Sequence, residues 1–307
     1  MEKKVFDAVV IGGGPAGYTS ALYAARAGLS VLVLEKFSAG GQMTETPSIE
    51  NYPGFDEPID GFSLGYKMKA AAERFGAVSE QTEVLSVELT SSPKSIATDM
   101  GIFLAKTVII ATGARHRHLG IQDEEKLIGR GVGYCASCDG MLYRGKTVAV
   151  VGGGNSAASD ALLLSKICKK VYLIHRRDTL RAEKVYHEPL MKAENIEFIW
   201  NSTVEGLEYE AKLRGVTVKS LTDGNTDRLE LDGLFISIGR APESDMFRGQ
   251  LELDASGYII ADETTKTSID GVFAAGDVRT KPFRQIVTAA SDGAVAAHLA
   301  EEFVFGL

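Results

Sequence analysis

Two cysteines three residues apart, in Cys135-Ala136-Ser137-Cys138-Asp139-Gly140, are the side chains whose type and spacing most plainly suit chemistry. At this spacing the sulfurs can close a small ring by a disulfide, and thiol–disulfide exchange needs one sulfur to attack and another to resolve. Asp139 adds a carboxyl that burial could hold at a raised pKa, able to give a proton when a dithiol forms and take one when it is consumed. The plainer reading of Asp139-Gly140 is a turn. Two other readings of the cysteine pair compete. A zinc site needs about four ligands, and the chain offers only Cys168 in a separate helical stretch and His187 in an unrelated segment. Two inert buried thiols are the second rival, since buried cysteine is common. Cys168 itself reads as core or half-buried helix.

An exchange centre needs a source of electrons, and the flanking sequence holds two copies of a nucleotide-binding opening. In the first, Val5–Ile11 reads as a strand, Gly12-Gly13-Gly14-Pro15-Ala16-Gly17 as a turn, and Tyr18–Ala27 as a helix ending at Gly28. Val31–Leu34 is then a second strand, closed by Glu35. Glycines at these places allow a tight turn, close backbone approach to a pyrophosphate and close helix packing, and Glu35 stands where it can accept from ribose hydroxyls. Unpaired N–H groups and the dipole at the helix N-terminus favour the anion. The second copy has the strand Thr147–Val151, the turn Gly152-Gly153-Gly154-Asn155-Ser156-Ala157, a helix over Ala158–Ile167 and the strand Val171–Ile174. Ala157 takes the third glycine's place, which the fingerprint permits.

The copies differ at the end of their second strands. Where the first has Glu35, the second has His175, followed by Arg176, Arg177 and, a turn later, Arg181. A carboxylate there would repel a 2′-phosphate, whereas guanidinium forks match one. The second site therefore reads as NADPH-specific and the first as a site for an adenine dinucleotide without that phosphate. A protein holding two dinucleotides and one disulfide is most simply an electron-transfer enzyme. Two further strand ends, Thr107–Ala111 running into Thr112-Gly113-Ala114 and Gly271–Ala275 running into Gly276-Asp277-Val278, repeat the strand-to-glycine design. A helix over Arg284–Leu299 follows. A carboxylate such as Asp277 at such a turn can accept from a sugar or ribityl hydroxyl. Residues 86–106 and 200–233 alternate apolar and polar with turn residues between, which predicts antiparallel strands inserted in each unit.

Composition agrees with this class. The chain has 307 residues, enough for about two domains, with 45% hydrophobic and 24% charged residues. Its 33 basic against 41 acidic residues give a net charge of −8, which argues against a nucleic-acid or anionic-membrane partner. The apolar run after Met1-Glu2-Lys3-Lys4 carries Asp7 and stops at Gly12, unlike a signal peptide. No stretch approaches the ~18 apolar residues of a spanning helix. Three cysteines make no disulfide framework, so a reducing cytoplasm is the expected location.

With these residues assembled, the chain resembles the bacterial-type low-molecular-weight thioredoxin reductases from about Val5 to Leu299. The resemblance rests on GGGPAG at 12–17, GGQ at 40–42, ENYPG at 50–54, ATGA at 111–114, CASCDG at 135–140, GGGNSA at 152–157, HRRDTLR at 175–181, GVFAAGDV at 271–278 and RQI at 284–286. It implies an α/β fold of two Rossmann-like dinucleotide-binding domains with inserted antiparallel strands. A discontinuous FAD domain, about 1–114 plus 243–307, would surround an NADPH domain, about 117–240, that carries the cysteine pair. It further implies that Gly12, Gly14, Pro15, Ala16, Gly17, Glu35, Gly40, Gly41, Gln42, Asn51, Ala111, Thr112, Gly113, Gly276, Asp277, Arg284, Gln285 and Ile286 serve FAD. Gly152, Gly154, Asn155, Ser156, Ala157, His175, Arg176, Arg177 and Arg181 would serve NADPH. Cys138 would exchange with the reduced flavin, Cys135 would attack the disulfide of thioredoxin, and Asp139 would be the acid/base. A homodimer and a large rotation between domains belong to the same expectation.

Rival activities are a reductase of another small redoxin, a flavin-linked dithiol oxidase and a flavin-binding sensor that does not turn over. The intact second fingerprint with its arginines weighs against the oxidase, and a complete hydride-to-dithiol relay weighs against the sensor. The sequence departs from the family pattern at Ser291-Asp292, in Thr288-Ala289-Ala290-Ser291-Asp292-Gly293, where a small Gly-rich step is usual. It departs again at Arg240, where some members carry histidine. Neither change removes a catalytic group.

Overall fold

The computed structural model describes residues 4–46 and 48–307; Met1, Glu2, Lys3 and Pro47 lie outside the described residues, and with them the start of the chain weighed above as a targeting signal. The chain divides into two compact units, Met1–Arg115 with Ala241–Leu307, and His116–Arg240. In chain order the first unit contributes β1 (Val5–Ile11), α1 (Pro15–Arg26), β2 (Val31–Glu35), α2 (Gly61–Glu73), β3 (Val78–Gln81), β4 (Val84–Glu88), β5 (Lys94–Thr98) and β6 (Gly101–Ile110), followed by the short β7 (Ala114–His116). The second unit has β8 (Val132–Gly133), α3 (Ala136–Asp139), β9 (Thr147–Val151), α4 (Asn155–Ser165), β10 (Lys170–Ile174) and α5 (Lys184–Lys192). It continues with β11 (Ile196–Ile199), β12 (Ser202–Tyr209), β13 (Leu213–Ser220), β14 (Thr226–Glu230) and β15 (Gly233–Ile236). After β16 (Arg240–Pro242) the first unit is completed by β17 (Val272–Ala274) and α6 (Ile286–Phe305).

The first unit's sheet runs β3-β2-β1-β6-β5-β4, with β17 also paired to β6. Strands β3, β2, β1, β6 and β17 are parallel, and β5 and β4 form an antiparallel extension. The ten-residue β6 changes partner along its length: Gly101–Ala105 pair with β5, and Val108–Ile110 with β17. Strand β1 is apolar on both faces because both are covered. Ala8 and Val10 join the cluster under α1 and α6, while Val9 and Ile11 join one completed by Phe247, Leu251 and Ile259.

The second unit repeats the plan with an all-parallel sheet, β11-β10-β9-β15-β8, and a separate antiparallel sheet, β12-β13-β14. One face of β9 packs Val148 and Val150 under α4, and the other packs Ala149 and Val151 towards Val204, Val216 and Val218 of the antiparallel sheet. The fold is therefore α/β with two Rossmann-like units and inserted antiparallel strands, as expected from the sequence. Among the described residues no helix is long and apolar enough to cross a membrane.

Helix ends differ from the sequence reading, for local reasons. Helix α1 begins at Pro15 rather than Tyr18, because proline's fixed φ suits the first helical position and its missing N–H costs nothing there. Helix α4 likewise begins at Asn155, with Gly154 as its N-cap. Helix α6 starts at Ile286, set by a capping box between Gln285 and Thr288, and runs on to Phe305, where Gly306 turns left-handed.

Candidate functional site

Parallel sheets of this kind take ligands at the carboxyl ends of their strands, and in the first unit the sequence-named residues converge there. Gly12 follows β1 at φ +104°, and any side chain would strike the Ala111 carbonyl oxygen at the end of β6. A side chain at Gly17 would run into the Gly12 carbonyl, so this glycine lets α1 close onto its own turn. Gly14, the N-cap of α1, faces open space and supplies no side-chain cap. The first-turn N–H groups of α1 thus look into room that an anion can fill. Glu35 ends β2 with Oε2 accepting from Gly13 N at 2.5 Å and Oε1 accepting from Phe37 N at 3.0 Å. A carboxylate has about four lone-pair directions, so both oxygens keep capacity for hydroxyl donors.

Of the remaining first-unit residues, Gly40, Gly41 and Gly276 touch this turn directly, and the others are held by contacts elsewhere in the unit. Gly40 donates its N–H to the Gly13 carbonyl, and an added side chain at Gly41 would meet the Gly14 Cα at 3.3 Å. Gln42 is exposed beside them. Asn51 Nδ2 donates to Gln285 Oε1 at 2.9 Å, joining segments far apart in sequence. Thr112 Oγ1 donates to the Glu243 carbonyl, and Gly113 takes a positive φ. Gly276, at the end of β17, places an added Cβ 3.0 Å from the Cβ of Ala16 in the first turn of α1, and half-buried Asp277 follows it. Arg284 stacks over the Tyr258 ring at 4.1 Å and donates to the Asp277 and Arg279 carbonyls, while Ile286 packs beside Met43, Ile49 and Leu64.

In the second unit Gly152 has φ +149° and would meet the Ser237 carbonyl, repeating the Gly12 arrangement. Gly154 again faces open space at a helix N-terminus without a side-chain cap. Asn155 is held by Glu183 through two hydrogen bonds, Ser156 is exposed and Ala157 is buried. His175 is only 5% exposed and lies under the turn, where an added Cβ on Gly153 would overlap its ring. Burial, then the Arg181, Arg176 and Arg177 charges, push its pKa down, so the imidazole is neutral. Its Nε2 is buried without a hydrogen-bond partner. The three arginines themselves are exposed, and among the described residues no carboxylate pairs with them.

This packing makes a direct prediction. Gly153→Ala should force the His175 ring aside, costing the second unit about 1–3 kcal/mol. The single tryptophan, Trp200, lies edge-on to His175 at 6.4 Å and reports the change. An unaltered urea midpoint by Trp200 fluorescence would show that the ring gives way freely.

Cys135 and Cys138 are joined in a disulfide with Cα atoms 5.3 Å apart. Cys135 is the N-cap of the four-residue helix α3, and Cys138 and Asp139 both donate their N–H groups to its carbonyl. Cys138 is exposed and Cys135 half-buried. Gly140 stays in the right-handed region at φ −56°, packed at the Leu164 side chain of α4. The segment after Cys138 is therefore helical and packed rather than a glycine turn. Cys168 is a buried free thiol that burial pushes up to about 11, far from thiolate character at neutral pH.

Burial raises the Asp139 carboxyl to about 6. Folded protein then holds this proton up to about pH 6, while the unfolded chain loses it near 3.8. Stability falls as pH rises through that window, and the cost is constant above it. Asp139→Asn should therefore stabilise the oxidised protein by about 2–3 kcal/mol at pH 7–8 and by well under ~1 kcal/mol near pH 4. Equal gains at both pH values, in urea unfolding, would contradict an ionised, desolvated Asp139.

Sequence reasoning missed two carboxylates in the second unit. Glu124, 3% exposed, accepts from the Leu119 and Gly120 N–H groups and from Tyr134 Oη, immediately before Cys135. No periodicity marks it, because it lies in an irregular stretch. Asp160 on α4 accepts from Ser237 Oγ beside the Gly152 turn, and burial raises its pKa. A carboxylate one helical turn beyond Ser156, among alanines and leucines, was a usable signal for it.

The family model for pyridine nucleotide-disulphide oxidoreductases matches residues 6–293. The thioredoxin reductase of Treponema pallidum is 44% identical over 299 residues, covering 97% of each chain, and that of Streptomyces clavuligerus is 44% identical over 306 residues, covering 99% of this chain and 95% of its own. The crystal structure of thioredoxin reductase from Streptococcus pyogenes superposes with a TM-score of 0.94 at 40% identity, covering both chains in full. Matched from its first fingerprint past the turn at Gly276, the chain belongs to the pyridine nucleotide-disulphide oxidoreductase family.

Proposed function

We propose that this protein reduces the disulfide of thioredoxin with electrons from NADPH, through FAD and the Cys135–Cys138 pair. The observation that carries the reading is the pairing, within one unit, of a formed disulfide with an arginine-lined fingerprint, while the other unit ends its fingerprint in Glu35. The first unit is then the FAD domain and the second the NADPH domain.

Both cradles suit these groups. Open space at Gly14 before an uncapped helix fits a pyrophosphate, and Glu35 keeps lone pairs for ribose hydroxyls. Open space at Gly154 repeats the fit, with exposed Arg176, Arg177 and Arg181 for a 2′-phosphate and the orphaned His175 Nε2 close by. When bound, NADPH supplies a hydride and FAD carries its two electrons on to a disulfide.

The chain's own groups do the rest. Electrons enter the pair at Cys138, opening the disulfide to two thiols. The Cys135 thiolate attacks one sulfur of the thioredoxin disulfide and forms a mixed disulfide, releasing the other thioredoxin sulfur. Cys138 then attacks Cys135 Sγ, which releases the second thioredoxin thiol and restores the Cys135–Cys138 bond. Asp139 adds the proton needed at a departing sulfur, and a carboxyl near 6 is well placed to give and regain one at neutral pH. A homodimer is the assembly inferred from the same resemblance.

Mass-resolved alkylation tests the relay. With FAD bound and NADPH added, Cys135 and Cys138 should become alkylated, while buried Cys168 stays unmodified under native conditions. Retention of the disulfide under excess NADPH would overturn the reading.

A further inference from the structure

Helix α6 carries a carboxylate where an apolar residue would be expected. Asp292 is 7% exposed, on the face of the helix that packs against the first unit's sheet and α1. Four donors meet it. Gly276 N donates to Oδ2 at 2.9 Å, Arg279 donates from Nε to Oδ2 at 2.9 Å and from Nη2 to Oδ1 at 2.8 Å, and Lys281 Nζ donates to Oδ2 at 2.8 Å. Arg279 and Lys281 are themselves buried, and Arg279 also donates to the Ala261 and Thr280 carbonyls. The neighbouring Gly293 lies so close to the Ala16 carbonyl of α1 that no side chain fits. One turn of α6 therefore grips two features of the first cradle: the opening of α1 through Gly293, and the Gly276–Asp277 turn through Asp292. Burial alone would raise the Asp292 carboxyl, but the bonds from Arg279, Lys281 and Gly276 hold it below its ordinary value. It is ionised at any pH where the enzyme would work.

We propose that Asp292 is a positioning residue for the first-unit nucleotide: its carboxylate fixes the Gly276–Asp277 turn against Ala16, so that the turn keeps the shape that binds FAD. The proposal rests on the reading of this unit as the FAD domain. A carboxylate used only to neutralise Arg279 and Lys281 would have no need of the Gly276 N–H. That bond ties the charge cluster to the strand end that faces the α1 opening. Loss of a buried acceptor with several charged donors is costly, and part of that cost should appear in FAD binding rather than in folding alone.

The test compares Asp292→Asn with Lys281→Met. Lys281→Met removes one cation of the cluster and leaves the Gly276 and Arg279 bonds in place, so both variants should lower the thermal midpoint of the FAD-free protein. Only Asp292→Asn should also weaken FAD binding, by tenfold or more in a fluorescence titration, and alter the absorbance of the bound flavin. Should Asp292→Asn not fold, Asp292→Glu keeps the charge but moves the oxygen that takes the Gly276 N–H, with the same expected loss of FAD affinity. FAD affinity within twofold of the parent in the folded variant, or an equal loss in Lys281→Met, would overturn the proposal. A parent protein that binds no FAD would instead overturn the assignment of the domain.

Discussion

Cys138→Ser is expected to lower thioredoxin reduction by at least about 10³-fold, the scale seen when a residue that forms a covalent intermediate is removed. NADPH should still bleach the flavin of this variant. The reason is the division of labour within Cys135-Ala136-Ser137-Cys138: without the second sulfur no disulfide can be restored, and a mixed disulfide at Cys135 has nothing to resolve it. A hydroxyl cannot replace that sulfur, since serine does not form the thiolate that exchange requires. Anaerobic bleaching with NADPH, beside steady-state thioredoxin reduction, checks both halves. Retained turnover would remove the pair from the relay, and loss of bleaching would show that the substitution disturbs more than exchange.

The second large effect belongs to the arginines. Arg176→Ala together with Arg177→Ala should raise the KM for NADPH about ten- to hundredfold, the equivalent of losing roughly 1.5–3 kcal/mol of charge-assisted hydrogen bonding. The KM for NADH should change little. The expected selectivity rests on exposure: both side chains are exposed, and the residue before them, His175, is buried and neutral. The local positive charge is thus presented by the guanidinium groups and not by the imidazole. Equal effects on the two nucleotides would mean that these arginines do not read the 2′-phosphate.

Much of the fold was legible because its glycines answer to close approaches that no other residue permits. Gly12 against Ala111 and Gly152 against Ser237 are backbone-to-carbonyl contacts at strand ends, and such contacts leave a fixed spacing in the sequence. Strand positions were legible for the same kind of reason, since β1 from Ala8 onward and β9 from Val148 onward are buried on both faces and read as apolar runs. Helix starts were less so, because Pro15 and Asn155 look like turn residues until the geometry shows them inside the first turn.

The candidate site divides along similar lines. Cys135, Cys138 and the two fingerprints stand out by spacing alone. Asp292 did not, beyond its departure from the family pattern, because its partners Arg279 and Lys281 come from an irregular segment and meet it only through the tertiary fold. Glu124 was hidden likewise, since its burial depends on backbone amides and a tyrosine that no periodic pattern connects. The Asp139-Gly140 pair shows the opposite hazard. Its residue types suggest a turn, but Gly140 is right-handed and packed against α4, leaving Asp139 half-buried with a raised pKa.

The most direct test of the proposed activity is the oxidation of NADPH by the FAD-loaded protein with thioredoxin from the same organism, measured beside NADH. Rapid turnover that requires thioredoxin and strongly prefers NADPH is the predicted result. A flavin that NADPH does not bleach, with or without thioredoxin, would contradict it.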